Sequence, residues 1–313
     1  MTPHRIILDC DPGRDDALAI ALALASPEEI ALIAITTVAG NVPLELTQRN
    51  ARFLCELCGH DEVPVYAGAR RPLTRPPVTA EEVHGRSGLE GLEVAEPATP
   101  LKDQHAVDFI AETLDAAGEE AITLVACGPL TNLAMVVSDF PKVLAGVRQI
   151  VLMGGVSRVG GNVTPVAEFN IHADPEAAAQ VFACGRPITV FSLDATYQVL
   201  AGPDHARRLE SLGGAPAQRL ASLLRPFRDG PKGRFGPGVT PLHDPCTVAW
   251  LLRPHLFEAQ SVPVAVETEG AHTLGATVVD WWGVTGHPPN AQWVTKADGD
   301  GVIDLLIERI AQL

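Results

Sequence analysis

This chain of 313 residues has little positive charge and few cysteines. It carries 23 Lys and Arg against 38 Asp and Glu, and no run of basic residues appears anywhere in it. A protein that binds nucleic acid through the phosphate backbone needs clustered positive charge, so this composition argues against a nucleic-acid partner. Its 6 cysteines are too sparse for a disulfide framework. The pair Cys55 and Cys58 has no second ligand pair to complete a zinc site, which favours a buried structural role.

Long apolar runs are also absent. No uninterrupted apolar stretch approaches the roughly 18 residues that a membrane-spanning helix needs. Residues 1–5 lead into an apolar segment that meets an acid at Asp9, which is not the pattern of a signal peptide. We therefore expect a cytoplasmic protein with no membrane partner.

The sequence shows no internal repeat, no low-complexity tract and no clear linker. Short apolar segments such as 30–38 and Ile122–Ala126 alternate with segments of helical character. Hydrophobic residues make up 46% of the chain, enough for a sizeable core. The alternation predicts a Rossmann-like α/β fold, a mainly parallel sheet with helices on both faces, in which residues 1–313 form a single domain.

What the sequence does have is a concentration of carboxylates near its start. Residues 6–8 predict a buried strand, and residues 17–25 are an Ala/Leu run suited to a helix. The carboxyl end of a strand that opens onto a helix is where α/β sheets bind ligands. The turn between the two carries four acids: Asp9, Asp11, Asp15 and Asp16.

Four anions this close together repel one another unless a cation lies among them. Hard oxygen ligands favour calcium or magnesium over zinc or copper, so we interpret the stretch as a metal-centred site. An EF-hand is excluded, because counting from Asp9 its twelfth position, which requires Glu, is Ile20. Taken alone, Asp15 or Asp16 fits a helix cap equally well.

Polar residues follow other predicted strands. Asn41 follows the segment 30–38, and Asp194 ends a strand predicted over 188–193. In residues 167–171, read as extended, Glu168 and Asn170 point to one side, which suits a polyhydroxylated ligand but equally a solvated face.

Two segments of irregular sequence are associated with histidines: one contains His84 and the other precedes His243. Residues 69–100 are rich in proline and contain His84, which by itself is more simply an incidental surface histidine. The Gly- and Pro-rich residues 229–238 predict a mobile flap. They lead to His243 and Asp244, which pair a candidate acid with a candidate metal ligand, or equally a satisfied histidine with a helix cap. Late strands are predicted at 262–267 and 274–282.

Taken together, these motifs resemble the inosine–uridine-preferring nucleoside hydrolase family. The first, Asp9-Cys10-Asp11-Pro12-Gly13-x-Asp15-Asp16-Ala17, is highly specific, and the others follow in family order over nearly the whole chain. They are Thr36-Thr37-Val38-Ala39-Gly40-Asn41, His84-Gly85-x-Ser87-Gly88, Gly128-x-Leu130-Thr131-Asn132, Val151-Leu152-Met153-Gly154-Gly155, Ala167-Glu168-Phe169-Asn170-Ile171 and His243-Asp244-Pro245.

The resemblance implies an enzyme that hydrolyses the N-glycosidic bond of ribonucleosides and holds a calcium ion. By position, Asp11 would be both a calcium ligand and the base that activates water, and His243 would protonate the leaving base. The other calcium ligands would be Asp16, Asp244 and the backbone carbonyl of Cys127. The remaining substrate contacts would be Asp15, Asn41, Met153, Glu168 and Asn170 at the ribose, with His84 nearer the base.

The resemblance leaves three points open. Relatives are commonly homodimers or homotetramers, and nothing in this chain selects one of them. Relatives often place tyrosines in the flap region, whereas residues 203–240 contain none, so the preferred base does not follow. Arg14 stands where relatives commonly have an apolar residue or His, and the sequence gives it no role.

Two other functions compete with hydrolysis of nucleosides. A magnesium-dependent phosphohydrolase would also use two aspartates after an apolar strand, as in Asp9 and Asp11. Such an enzyme needs a lysine at the phosphate, whereas these strand ends offer Asn, Gly and Asp. A calcium-dependent ribose-binding protein without turnover would have no need of the base and acid predicted at Asp11 and His243.

Overall fold

Strands and helices alternate along most of the chain. The computed structural model describes residues 2–226, 235 and 238–313. Within these residues the strands are β1 (His4–Cys10), β2 (Ile30–Thr37), β3 (Val65–Ala67), β4 (Ile122–Ala126), β5 (Val147–Met153), β6 (Ile188–Phe191), β7 (Leu200–Ala201), β8 (Thr240–Pro241), β9 (Phe257–Val262), β10 (Val264–Val266), β11 (Thr277–Val279) and β12 (Ala291–Ala297). The α-helices are α1 (Arg14–Leu24), α2 (Leu44–Leu57), α3 (Glu81–His84), α4 (Ala106–Ala117), α5 (Thr131–Asp139), α6 (Phe169–Ala173), α7 (Pro175–Phe182), α8 (Leu193–Thr196), α9 (Pro203–Leu212), α10 (Ala215–Leu220), α11 (Pro245–Leu252) and α12 (Gly299–Ile310). Short 3₁₀ helices cover Pro141–Gly146, Ala221–Leu224 and Pro254–Leu256.

The central sheet has eight strands in the order β3-β2-β1-β4-β5-β6-β12-β9. Every neighbouring pair is parallel except β12 with β9. On one side of β1 lie β2 and then β3, and on its other side lie β4, β5 and β6 in that order. The strand order therefore reverses between β1 and β4, and ligands of open α/β sheets bind at the carboxyl ends beside such a reversal.

Alternating side chains of the inner strands pack into two cores, one on each face of the sheet. In β1, Ile6 and Leu8 belong to one core and Ile7 to the other, as the two-residue period of a strand requires. The first core also contains side chains of α1, α2, α11 and α12, and the second contains those of α4, α5 and α7. The predicted α/β architecture, mainly parallel with helices on both faces, is thereby confirmed.

Helix α1 is buried around almost its whole circumference. Asp15 is its one residue that is not classed as buried. A helix made of Ala, Leu and Ile on all sides is stable only inside a core, where every face finds apolar contacts. This burial fixes the amino end of α1, and with it the acidic turn, against the end of β1.

The structure differs from the sequence analysis in three places. Residues 167–171 are not extended, because α6 begins at Phe169 and Glu168 is its amino-terminal cap. The strand β12 was missed, although its Trp293 is fully buried between β6 and β9. The late strands are shorter than predicted and form the two-stranded pair β10–β11 outside the central sheet. Propensity does not reveal which short apolar segment finds a partner in the sheet.

Two further expectations concern the flap and the membrane. Of the predicted flap at 229–238, all but residues 235 and 238 lie outside the described residues. Among the helices that the structure describes, none is both long and apolar enough to cross a lipid bilayer.

A single buried carboxylate, Asp194, fixes the loop that follows β5. It lies in α8, just beyond β6, rather than at the end of a strand. Its oxygens accept hydrogen bonds from the backbone N–H groups of Ser157, Arg158 and Val159 at 2.8–3.1 Å. The indole N–H of Trp293 donates to it as well, at 3.1 Å. The loop that follows Met153 is thus tied through Asp194 to α8 and β12.

We expect Asp194→Asn to lower the free energy of unfolding by about 3 kcal/mol, because an amide NH₂ group would face N–H donors and leave them unpaired. Urea denaturation measures this loss. Asp280→Asn is the matched control, since Asp280 also accepts from two backbone N–H groups, those of Val284 and Thr285, but is only partly buried. An equal loss in both variants would contradict the role given to Asp194.

Candidate active site

The residues predicted to act on substrate gather at the carboxyl ends of the strands beside the reversal. Asp11 follows β1, Asn41 follows β2, Cys127 follows β4, and Met153 ends β5. These strands are neighbours and parallel, so their last residues share one edge of the sheet. The structure therefore brings together residues that are up to 142 positions apart in the sequence, from Asp11 to Met153.

Three carboxylates form a compact acidic cluster at this edge. One oxygen each from Asp15, Asp16 and Asp244 lies within 4.8 Å of the others. Asp244 is the residue just before α11, at its N-cap position, but its carboxylate makes no capping hydrogen bond to that helix and belongs to the cluster instead. Asp16 does cap α1, accepting from Gly13 N–H at 2.9 Å. The capping interpretation therefore holds for Asp16 and not for Asp244.

Asp11 lies next to this cluster and is completely buried. Its Oδ2 atom accepts a hydrogen bond from the Asn41 backbone N–H at 2.6 Å. Its Oδ1 atom is also buried and has no hydrogen-bond partner among the described residues. A side chain at Gly40 or Gly128 would come within 2.1 and 2.7 Å of these oxygens, so glycine at both positions leaves room for the carboxylate.

Burial and repulsion between neighbouring carboxylates raise the pKa values of these acids. Burial raises the pKa of Asp16 to about 7, with a further contribution from the charge of Asp15. The pKa values of Asp11 and Asp244 lie well above the usual range, first because of burial and then because of their acidic neighbours. A group of buried carboxylates is ionised at neutral pH only when positive charge compensates it.

These features fit a hard divalent cation. Among the residues that the structure describes, the donors are carboxylate oxygens, no thiolate or imidazole belongs to the cluster, and one buried oxygen of Asp11 has no hydrogen-bond partner. Oxygen-rich sites of this kind suit calcium or magnesium. The cluster of Asp15, Asp16 and Asp244 is thus a candidate metal site, and it includes Asp15, which the family resemblance assigned to the sugar.

The fourth acid of the first motif does not join the cluster. Asp9 is buried and accepts hydrogen bonds from Thr36 Oγ1 at 2.6 Å and Asn132 Nδ2 at 2.7 Å. Asn132 Nδ2 also donates to the backbone of β2, at Thr37. The sequence interpretation of four gathered acids was wrong for Asp9, because successive odd positions of a strand share a face only while the strand continues, and β1 ends at Cys10.

Glu168 and Asn170 reach the same edge from α6. The Glu168 carboxylate accepts from the backbone N–H groups of Gly155, Asn170 and Ile171 at 2.9–3.2 Å. Burial raises its pKa to about 7, although these hydrogen bonds act in the opposite direction. The Asn170 side chain donates to the carbonyls of Cys127, at 2.9 Å, and Met153, at 3.1 Å. Asn170 thus links the ends of β4 and β5.

His84 comes from α3 and faces the amino end of α1. Its Nδ1 atom accepts a hydrogen bond from the Arg14 backbone N–H at 3.1 Å and lies 3.9 Å from Asp15 Oδ1. With Nδ1 as the acceptor, this network assigns the proton of the neutral ring to Nε2. Burial lowers the pKa of His84, so the neutral form is favoured.

His243 lies in a polar and aromatic environment that the sequence did not predict. Its Nδ1 atom is 2.8 Å from Thr196 Oγ1, and its ring packs edge-on against Tyr197 with 5.8 Å between centroids. Tyr197 also packs against the small apolar cluster that contains Met153. Burial lowers the pKa of His243. Thr196 and Tyr197 follow β6 closely in the sequence. Since the carboxyl ends of the parallel strands share one edge of the sheet, this position is the sequence signal that could have placed both residues at the site.

Comparison with known proteins identifies the family. A family model described as "Inosine-uridine preferring nucleoside hydrolase" matches residues 6–304. The pyrimidine-specific ribonucleoside hydrolase RihA of Enterobacter sp. is 44% identical over 98% of this chain and 97% of its own length. A plant nucleoside hydrolase, PpNRh1, superposes with a TM-score of 0.91 at 33% identity over 99% of both chains. A purine-preferring ribonucleoside hydrolase from Gardnerella vaginalis superposes with a TM-score of 0.90 at 32% identity over 98% of both chains. The chain therefore belongs to the inosine-uridine preferring nucleoside hydrolase family.

Proposed function

We propose that residues 1–313 act as one calcium-dependent enzyme domain that hydrolyses ribonucleosides to ribose and free base. The single observation that carries this proposal is the buried Asp11 oxygen, unpaired among the described residues, beside a cluster of three carboxylates at the reversal of the sheet. A phosphohydrolase would instead place a cation opposite the acids to bind phosphate, and the family match supports nucleoside cleavage.

The proposed calcium ligands are carboxylates of Asp11, Asp16 and Asp244 and the carbonyl of Cys127. The compact arrangement of Asp16 and Asp244 supports this assignment, and Asp15 belongs to the same cluster. A bound calcium ion would supply positive charge that compensates the buried acids and orients the sugar hydroxyls and a water molecule.

Asp11 is the proposed general base. Its Oδ2 is fixed by the Asn41 N–H, so Oδ1 remains to take a proton from water as that water attacks the anomeric carbon. A positioned general base contributes about 10²–10⁴-fold to rate. Cleavage of the glycosidic bond also leaves positive charge on the sugar, and the surrounding carboxylates and amide oxygens stabilise that charge.

His243 is the proposed proton donor to the leaving base. Thr196 holds its Nδ1 atom, which leaves Nε2 to donate. Asp15, Asn41, Met153, Glu168 and Asn170 are proposed to bind the ribose, with His84 nearer the base.

The substrate class is proposed to be ribonucleosides with purine or pyrimidine bases. Relatives with 44% identity are named pyrimidine-specific, and a structural neighbour with 32% identity is named purine-preferring. A turnover panel of uridine, cytidine, inosine, adenosine and p-nitrophenyl riboside tests the proposal. Release of phosphate from a phosphomonoester panel, without release of any base, would overturn it. We also propose a cytoplasmic homodimer or homotetramer, which rests on the family resemblance.

The first prediction from the proposed function concerns the metal. We expect Asp16→Ala and Asp244→Ala to lose bound calcium, because each removes an oxygen from the cluster. Asp11→Asn is expected to retain much of the calcium and to lose about 10²-fold or more in turnover. Metal analysis of the purified proteins measures occupancy. Asp9→Asn is the control, since Asp9 is buried nearby but is not a proposed ligand, and its Oδ1 accepts from Thr36 and Asn132. Full occupancy in both alanine variants would overturn the ligand assignment.

The second prediction concerns the leaving base. His243→Ala is expected to reduce kcat for a purine nucleoside by about 10²-fold or more, because the departing base then lacks its proton donor. p-Nitrophenyl riboside has a leaving group that needs no proton and should lose far less. Steady-state kinetics on both substrates make the comparison. Equal losses would assign His243 a structural role.

The third prediction concerns the 2′-hydroxyl. A polar pocket built for ribose leaves buried groups unpaired when this hydroxyl is missing, and such sites reject the analogue by roughly 10⁴-fold or more. We therefore expect this ratio in kcat/KM for inosine against 2′-deoxyinosine, or for whichever base is best. A ratio below about tenfold, equivalent to about 1.4 kcal/mol, would show that the 2′-hydroxyl is not bound as proposed.

A further inference from the structure

Arg14, to which the sequence gave no role, is a buried arginine at the start of α1. It is 9% exposed, and its guanidinium group donates hydrogen bonds to four backbone carbonyls. One belongs to Glu90. The other three are those of Ser222 at 3.4 Å, Leu223 at 3.3 Å and Arg225 at 2.5 Å. One side chain therefore joins two segments that are more than 130 residues apart.

The first segment, residues 84–91, is held by Arg14 at two points. The Arg14 backbone N–H donates to the ring of His84, and its side chain donates to the carbonyl of Glu90. The Glu90 N–H in turn donates to the His84 carbonyl at 3.1 Å. These three bonds form a closed circuit through His84, Glu90 and Arg14, so a displacement of Glu90 is transmitted to His84.

The second segment, residues 222–225, includes the end of the 3₁₀ helix Ala221–Leu224. Carbonyls at the end of a helix carry partial negative charge, which a cation stabilises; that of Ser222 also accepts from the Arg225 N–H at 3.2 Å. Nη1 of Arg14 donates to Glu90, and Nη2 shares its two hydrogens among the three carbonyls of the second segment, whereas a lysine would offer one nitrogen to both segments. Arg14 is therefore suited to hold several carbonyls at once in a way that His or an apolar residue at this position is not.

We propose that Arg14 is a positioning residue that fixes the wall of the pocket on the side of the nucleobase, by joining residues 84–91 to residues 222–225. The proposal rests on the proposed function, in which His84 lies near the base. His84 is close to the acidic cluster through Asp15, at 3.9 Å, so a shift of its segment changes the pocket beside the sugar site without removing any of the proposed calcium ligands.

The experiment compares Arg14→Met with Arg219→Met in the full-length protein. Met keeps the apolar stem of Arg14 and removes every donor. Arg219 is the matched control, because it also donates to a backbone carbonyl far away in the sequence, that of Glu93 at 2.7 Å, but it is exposed, and both residues lie outside the two segments that Arg14 joins. Kinetics with the best nucleoside, inhibition by free ribose, bound calcium and amide hydrogen exchange are measured for each variant.

For Arg14→Met we expect KM for the nucleoside to rise tenfold or more, with the inhibition constant of ribose and the calcium content within twofold of wild type. Exchange at the Glu90 amide should accelerate, because its partner His84 is no longer held through the side chain of Arg14. Arg219→Met should leave all four quantities within twofold. Arg14→Lys keeps the positive charge but not the forked guanidinium, so its KM should lie between those of wild type and Arg14→Met. If Arg14→Met does not fold, Arg14→Lys is compared with Arg219→Met in its place.

A nucleoside KM within twofold of wild type in folded Arg14→Met would overturn the proposal. An equal rise in KM and in the ribose inhibition constant would also overturn it, since Arg14 would then support the whole site rather than the base side. Wild-type protein that hydrolyses no nucleoside would instead refute the proposed function, and the Glu90 amide exchange would still report whether Arg14 holds residues 84–91.

Discussion

Crowding of buried negative charge at the carboxyl end of β1 is the constraint on which the rest of the structure depends. Asp11, Asp16 and Asp244 are all less than 4% exposed, and the pKa of each is raised first by burial and then by the charge of neighbouring acids, among them Asp15 in every case. Ionised carboxylates in such a position destabilise the fold unless compensated, so their presence requires either protonation or a cation. A site that concentrates charge in this way is suited to bind a metal and to stabilise a positively charged transition state.

Several neutral groups make this crowding tolerable. Gly40 and Gly128 leave space around the Asp11 carboxylate, and the backbone N–H groups of Asn41 and Gly13 donate to Asp11 and Asp16. Hydrogen bonds from backbone amides stabilise a carboxylate without introducing a competing charge. The site is therefore built from strand ends and helix starts, whose amides have no partner within their own element.

A second set of contacts holds the loops around the acids. Asp194 binds the loop after β5 through three backbone amides, and Arg14 binds residues 84–91 and 222–225 through their carbonyls. Each uses one buried charge to satisfy several backbone groups of an irregular segment. Irregular segments lack a ladder of their own, and such anchors restrict their conformations. The loops at this edge of the sheet are thereby held in place by hydrogen bonds to side chains of the regular secondary structure.

The sequence by itself determined the alternation of strands and helices, the parallel sheet and the motif that places acids after β1, because these follow from local periodicity and turn chemistry. It also identified the family from the order of its motifs. It did not locate β12 or the cap at Glu168, since a short segment takes its structure from the neighbours it finds.

Only the tertiary structure decided which acids meet. It turned Asp9 toward Asn132, brought Asp15 together with Asp244 from 229 residues away, and surrounded His243 with Thr196 and Tyr197. It also gave Arg14 its partners, which lie at residues 90 and 222–225. The physical reason is the same in each case: a side chain's partners at the edge of a parallel sheet come from other strands and loops, and sequence spacing carries no information about those distances.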